Sequence, residues 1–259
     1  MMHRPAYFRL IVSLSWLLLS LLLPLVVWEF AARKIANPVL LPEPELVAAS
    51  MMELFSDGSL MDDILASLQR VFTGFFIASA VAIPSALLMA YFLPLRRLFL
   101  PLVTVLRPIP PIAWIPLAIL WFGLGNKPSY FITALAAFFP IFLNAFAGGI
   151  DVQPRHIHAA RFLGAGRWLM VRHIYLMSAL PSVWTGLRIG LGQSWMAVVT
   201  AELIAAQSGL GYMIQANRIN LETQHVLTGM IVIGVLGALM TTGLGWCEKL
   251  ILPWKYQRQ

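Results

Sequence analysis

Of the 259 residues in this chain, 59% are hydrophobic and only 11% are charged, against roughly 45–50% and 25% in ordinary soluble domains. That balance marks an integral membrane protein, so the formal charge of +7 is read by where a bilayer sorts the cations and not as a sign of nucleic-acid binding. The single cysteine, Cys247, excludes an intrachain disulfide.

Six apolar runs reach the roughly 20 residues needed to cross a hydrocarbon core: about 9 to 28, 71 to 94, 100 to 124, 129 to 150, 181 to 205 and 226 to 247. The expected fold is all-α, one bundle of about six transmembrane helices. The first run follows a basic start but exceeds the roughly 7–15 apolar residues of a signal peptide and lacks an A-x-A-like site, so a retained span is expected. Residues 1–70 then form a first helix and an outer amphipathic segment, and residues 71–259 the core. In the outer segment Pro44 is placed to open a short helix with Leu46, Val47, Met51 and Leu54 on one side.

The third run, "LRPIPPIAWIPLAILWFGLG", carries Pro108, Pro110, Pro111 and Pro116 where a helix needs backbone donors. Such a segment is tolerated only where protein or a water-filled cavity satisfies the freed carbonyls. It is either a pathway element or a kinked packing helix. Arg107 and Trp114 lie in it, and Arg107 either faces a cavity and attracts an anion or stays at the inner interface.

With six spans both termini share one side. Placing them inside puts Arg96, Arg97, Arg155, Arg161, Arg167 and Arg172 in inner loops, while Glu43, Glu45, Glu53, Asp57, Asp62 and Asp63 fall outside with only a few cations, Arg70 among them. This follows the positive-inside rule, so the termini and the loop at about 151–180 are expected in the cytoplasm. In that loop "PRHIHAARFLGAG" places Arg155, His158 and Arg161 on one helical face and Ile157, Ala160 and Leu163 on the opposite one. Gly164 and Gly166 end or bend the helix, and a second piece returns the chain to the membrane at Pro181. An interfacial helix on anionic headgroups fits this pattern, and so does a docking helix.

In the fifth run Gly186 and Gly190 form a G-x-x-x-G pair for close helix approach. Gln193, Ser194 and Trp195 fall mid-span, where they either line a pathway or pack. Glu202 is the one carboxylate of that run, with a gating or hydrogen-bonding role if buried and none if it reaches water. The spans contain no cluster of acids, bases and nucleophiles, and His156 and His158 do not share a helical face, so neither catalysis nor a metal site is expected. No G-x-x-x-x-G-K-[ST] loop is present, since "GLGNKPS" has the wrong spacing.

The order His158-Ala159-Ala160, three residues, Gly164, nine residues, Ile174 resembles the cytoplasmic E-A-A-x-x-x-G-x(9)-I-x-L-P loop of ATP-binding cassette importer permeases. His158 replaces the glutamate and Met177 the proline. "RPIPPIAWIPLAILWFGLG", "ALPSVWTGLRIGLGQSW", "AELIAAQSGLGYMI" and "LPWKYQ" extend the likeness over nearly the whole chain from Leu40, toward the nitrate, sulfonate, taurine and bicarbonate branch. The resemblance implies the type I permease core of about five helices and a permease pair, expected to be a homodimer. It also implies two cytoplasmic ATPase subunits that bind the ATP and Mg, and an extracytoplasmic binding protein that delivers solute through the inner membrane. The chain itself would be non-catalytic and hold no cofactor. Arg155, His158, Ala159, Ala160, Arg161 and Gly164 would form the coupling helix, with the small side chains admitting the backbone to a cleft. Arg107, Trp114, Gln193, Ser194, Trp195 and Glu202 are the pathway candidates. The solute would be a small anion, with a thiamine-precursor-like compound as the alternative; an ion-gradient-driven carrier is the competing class, although only one broken span is present where such carriers usually have two.

Overall fold

The structure, a computed structural model, describes residues 6–253, except for the side chains of residues 6–18 and 21. Arg4, Lys255 and Arg258, the side chain of Arg9 and the end of the "LPWKYQ" stretch lie outside the described residues, as does the orientation expected for the two termini. Every regular element described is helical: α1 (Ala6–Ile35), α2 (Pro44–Ser56), α3 (Ser59–Tyr91), α4 (Leu93–Leu106), a 3-10 turn (Pro111–Trp114), α5 (Ile115–Phe122), α6 (Asn126–Ile150), α7 (Pro154–Phe162), α8 (Arg167–Leu169), a π-helical segment (Met170–Tyr175), α9 (Leu176–Ala205), α10 (Leu210–Ile219) and α11 (Thr223–Ile251). Among the described residues α3, α6 and α11 are each long and apolar enough to cross a membrane; α4 with α5, and α8–α9 with α10, are so when each bent pair is taken together. These match the second to sixth apolar runs.

The chain falls into two compact units, Met1–Leu60 with Met213–Ile231, and Met61–Tyr212 with Val232–Gln259. In the first unit Pro44 does open α2, at its first position. The inward face of α2 is the expected one at Val47, which is buried, and at Met51 and Leu54, which are half-buried, but Leu46 is 47% exposed and Ser50 is buried instead. The reason is a polar contact that an apolar pattern does not register. Ser50 Oγ lies 3.1 Å from Thr228 Oγ1, and Thr228 also donates to the Val47 carbonyl. Beyond α2, Asp57 Oδ1 accepts from the Ser59 amide and hydroxyl at 2.8 and 2.7 Å, which starts α3 and holds the Asp57 carboxyl below its ordinary value.

In the second unit the prolines decide the path of the chain. Helix α4 ends at Leu106 because residues 108, 110 and 111 lack amide donors, and the chain bends by 93° before α5. Pro116 sits at the second position of α5, where no intrahelical donor is needed. The second piece of the loop runs on into the fifth run without interruption at Pro181. Helix is continuous from Arg167 through the π-helical segment to Ala205, with Pro181 inside α9. Met177 therefore lies within a helix and not at a turn.

Helices α6 and α9 form the most extensive pair in this unit. A Cβ on Gly186 would lie 2.8 Å from Asn144 Cβ and 3.1 Å from Ile141 Cα and the Pro140 carbonyl; one on Gly190 would lie 2.7 Å from Ile141 Cγ1. The G-x-x-x-G pair is thus where α9 meets the α6 backbone. Phe138, Phe142 and Phe146 stack along α6 at centroid spacings of 5.7 and 6.1 Å. Helix α11 is tied to α9 by two indoles, Trp184 Nε1 to the Leu244 carbonyl (3.2 Å) and Trp195 Nε1 to the Ile233 carbonyl (3.0 Å). Because backbone atoms cannot turn aside, Gly186→Ala is expected to destabilise the protein by about 1–3 kcal/mol. Thermal unfolding of the purified variant in detergent checks this, and an unchanged midpoint would refute close packing at that point.

Candidate functional site

Glu202 does not reach water. It is 1% exposed and its partner Arg70 is 2% exposed, with Arg70 Nη1 donating to Glu202 Oε1 at 2.6 Å. Ser67 Oγ lies 2.9 Å from both carboxylate oxygens, and the Gly211 amide donates to Oε2 at 3.0 Å. The rest of the guanidinium donates to Asn126 Oδ1 and to the carbonyl and hydroxyl of Ser208. Asp63 Oδ1 accepts from the Gly209 amide at 2.6 Å. Asp63, Ser67 and Arg70 recur at i, i+4 and i+7, hence on one face of α3. Gly209 is required twice over: its φ is +101°, and a Cβ there would run into Arg70 Nη1 and the Glu202 carboxylate. Arg70, counted above as an outer-loop cation, is therefore a buried structural one.

The other pathway candidates separate. Arg107, in the break after α4, and Gln193 of α9 line one cavity of about 480 Å³ together with Asn144, Phe139 and Ile189. Trp114, Ser194 and Trp195 do not line it. Trp114 packs edge-on against Phe131, Ser194 Oγ donates to the Thr133 carbonyl at 3.0 Å, and Trp195 is held by α11 as described. Neither Asn144 nor Arg70 was singled out from sequence.

At the basic loop, Pro154 is the first residue of α7 and Leu163 its C-cap. Gly164, at φ +76°, donates its amide to the Arg161 carbonyl, and the Ala165 amide reaches the Ala160 carbonyl, both at 3.0 Å; these are the two bonds of a Schellman turn. A Cβ on Gly164 would meet nothing within 4 Å, so its constraint is backbone conformation and not crowding. Arg155, His158, Ala159 and Arg161 are exposed, whereas Ala160 is buried and Ile157 half-buried against the chain. Leu163 is not on that inward face. With Phe162 and Trp168 it projects outward, the three being 83%, 93% and 71% exposed, because the turn ends the helix before Leu163 can join the Ile157 face.

Removing one partner of the buried pair leaves an uncompensated charge, so Glu202→Ala is expected to destabilise the protein by about 3–5 kcal/mol, with much of the loss recovered in the Arg70→Met/Glu202→Met double variant. Thermal unfolding of the single and double variants decides it; a double variant as weak as the single would show that the charge pairing is not what the site needs.

The model of the family "Binding-protein-dependent transport system inner membrane component" matches residues 74–254. The chain is 41% identical over 239 residues to a putative ABC transporter permease protein of Methanocaldococcus jannaschii, covering 90% of this chain and 89% of that one. It is 37% identical over 232 residues to the taurine transport system permease protein TauC of Escherichia coli (88% and 84%) and 32% identical over 241 residues to the putative aliphatic sulfonates transport permease protein SsuC of Bacillus subtilis (91% and 87%). An all-helical chain with this succession of apolar spans, matched over most of its length, belongs to the binding-protein-dependent transport system inner membrane component family and is a non-catalytic ABC transporter permease subunit.

Proposed function

We propose that the chain is the membrane-spanning half of an ATP-driven importer for a small anion of the sulfonate, taurine, nitrate or bicarbonate type. Two copies surround the pathway, two cytoplasmic ATPase subunits bind ATP and Mg, and an extracytoplasmic binding protein delivers the solute. The assembly lies in the inner membrane with both termini and the α7 loop in the cytoplasm, a placement supported by the Lys and Arg distribution. The names of the relatives above support the solute class, and Arg107 on the cavity wall supports its charge.

The observation that carries the reading is the form of the α7 loop. A lipid-binding helix would turn its apolar face outward, but Ile157 and Ala160 are turned against the protein. What projects past the helix are three apolar side chains, Phe162, Leu163 and Trp168, in the same short loop as the exposed Arg155 and Arg161. Apolar anchors rimmed by cations suit a cleft in a protein partner whose rim carries carboxylates. Leu163→Glu is therefore expected to lower copurification of the ATPase by about tenfold or more and to uncouple hydrolysis from uptake in liposomes. Normal assembly and transport by this variant, with loss only on removing Arg155 and Arg161, would assign the loop to the lipid surface instead.

Topology has its own measurement. In a Cys247→Ser background, Met52→Cys is expected to react with an impermeant thiol reagent added outside cells and Arg155→Cys only after lysis. Labelling of Arg155→Cys from outside would reverse the orientation.

A further inference from the structure

The cavity beside the proline break combines unpaired polar groups with an apolar wall. The Arg107 guanidinium has no ion pair or hydrogen bond to another described residue, and neither has the Gln193 carboxamide. Asn144 spends one N–H on the Pro140 carbonyl at 2.8 Å and keeps its second N–H and its carbonyl oxygen. No Asp or Glu lines the cavity; apart from these three polar groups its wall includes Leu135, Phe139, Leu143 and Ile189. A guanidinium with no counter-charge on an apolar wall favours an anion, and carboxamide N–H groups add donors to the same oxygens. The volume, about 480 Å³, leaves room for a hydrocarbon tail against Phe139 and the aliphatic side chains.

A second cavity of about 260 Å³ shares only Pro111 and Gln193 with the first, and its remaining lining includes Ile112, Met196 and Thr200. Ile189, Gln193, Met196 and Thr200 follow one face of α9, so Gln193 divides two compartments along one stripe. We propose that Arg107, Asn144 and Gln193 form an intramembrane head-group site for a small organic monoanion with a short apolar tail, so that the permease itself selects among the solutes delivered to it. This assignment rests on the importer reading above. Gln193 holds the anion at the boundary between the compartments; Arg107 supplies the charge.

Butanesulfonate is the probe. The complex of permease and ATPase, in nanodiscs of zwitterionic lipid and without the binding protein, is expected to bind labelled butanesulfonate saturably. Butyl methyl sulfone, nearly the same shape without the charge, is expected not to compete, and methanesulfonate, three methylenes shorter, to compete about fiftyfold less well. Arg107→Gln is expected to lower the affinity about tenfold or more and Gln193→Leu by less, with the ATPase still copurifying. Equal competition by the sulfone, or displacement of butanesulfonate when anionic lipid is added to the nanodiscs, would overturn the site, the latter by assigning it to lipid headgroups. The competition series needs no variant and so stands even if one fails to fold. ATP-driven uptake in liposomes with the binding protein separates the two readings. Uptake with no saturable binding, or with binding unaltered in both variants, overturns the site alone. Failure of the wild-type assembly to take up any of butanesulfonate, taurine, nitrate and bicarbonate overturns the importer reading and the site with it.

Discussion

A guanidinium and a carboxylate enclosed in an apolar helical unit set the terms for everything around them. Neither Arg70 nor Glu202 has water to fall back on, and a lone charge at such a place is expensive. Their mutual contact is therefore only part of the arrangement. The remaining donors and lone pairs are taken by Ser67, Asn126, Ser208 and the Gly211 amide. Because the pair and those groups come from α3, the start of α6, the end of α9, the turn after it and the start of α10, one electrostatic requirement fixes five stretches of chain at once. It also dictates Gly209 and Gly211, since a Cβ on either would strike the groups that satisfy the carboxylate or its own backbone.

Around that anchor the helices use two opposite packing strategies. Along α6 and α9 small residues let the backbones approach, with Gly186, Gly190 and the Ser194 hydroxyl facing α6. Between α4 and α5 the prolines forbid a straight helix and leave the segment from Arg107 to Pro110 irregular. Helix α9 serves both: one stripe is closed by α6, and the neighbouring stripe of Ile189, Gln193, Met196 and Thr200 looks onto the space the break leaves open. The cavity exists because a close-packed pair stands beside a segment that cannot close.

Much of this was legible in the sequence, for definite reasons. Span length, proline position and the Gly186/Gly190 pair are local signals, and local rules read them. Side-chain direction within a span is different: a helix that is apolar nearly all round does not announce which face meets a cavity, so Gln193, Ser194 and Trp195 looked alike although only Gln193 lines one. Arg70 was misread because loop charge counting has no access to a partner 132 positions away. The spacing of Asp63, Ser67 and Arg70 on one helical face was the available hint, and it gains meaning only beside Glu202. Leu46 and Leu163 depart from their expected faces in a related way, the first because Ser50, paired with Thr228, is buried on α2 in its place and the second because a Schellman turn ends α7 before Leu163.

The absence of a break between Arg167 and Ala205 has a mechanical meaning. At about 1.5 Å per residue this stretch is a beam of roughly 55 Å, with the projecting α7 loop next to one end and the Glu202 anchor close to the other. Between those ends the stretch is also held laterally, at Gly186 and Gly190 by the α6 backbone and at Trp184 and Trp195 by α11, so a load at the loop end is shared among these supports and does not reach the anchor alone. The wider π-helical segment at Met170–Tyr175 lies between the loop and the lateral supports at Trp184 and Gly186, where the stretch bends most easily.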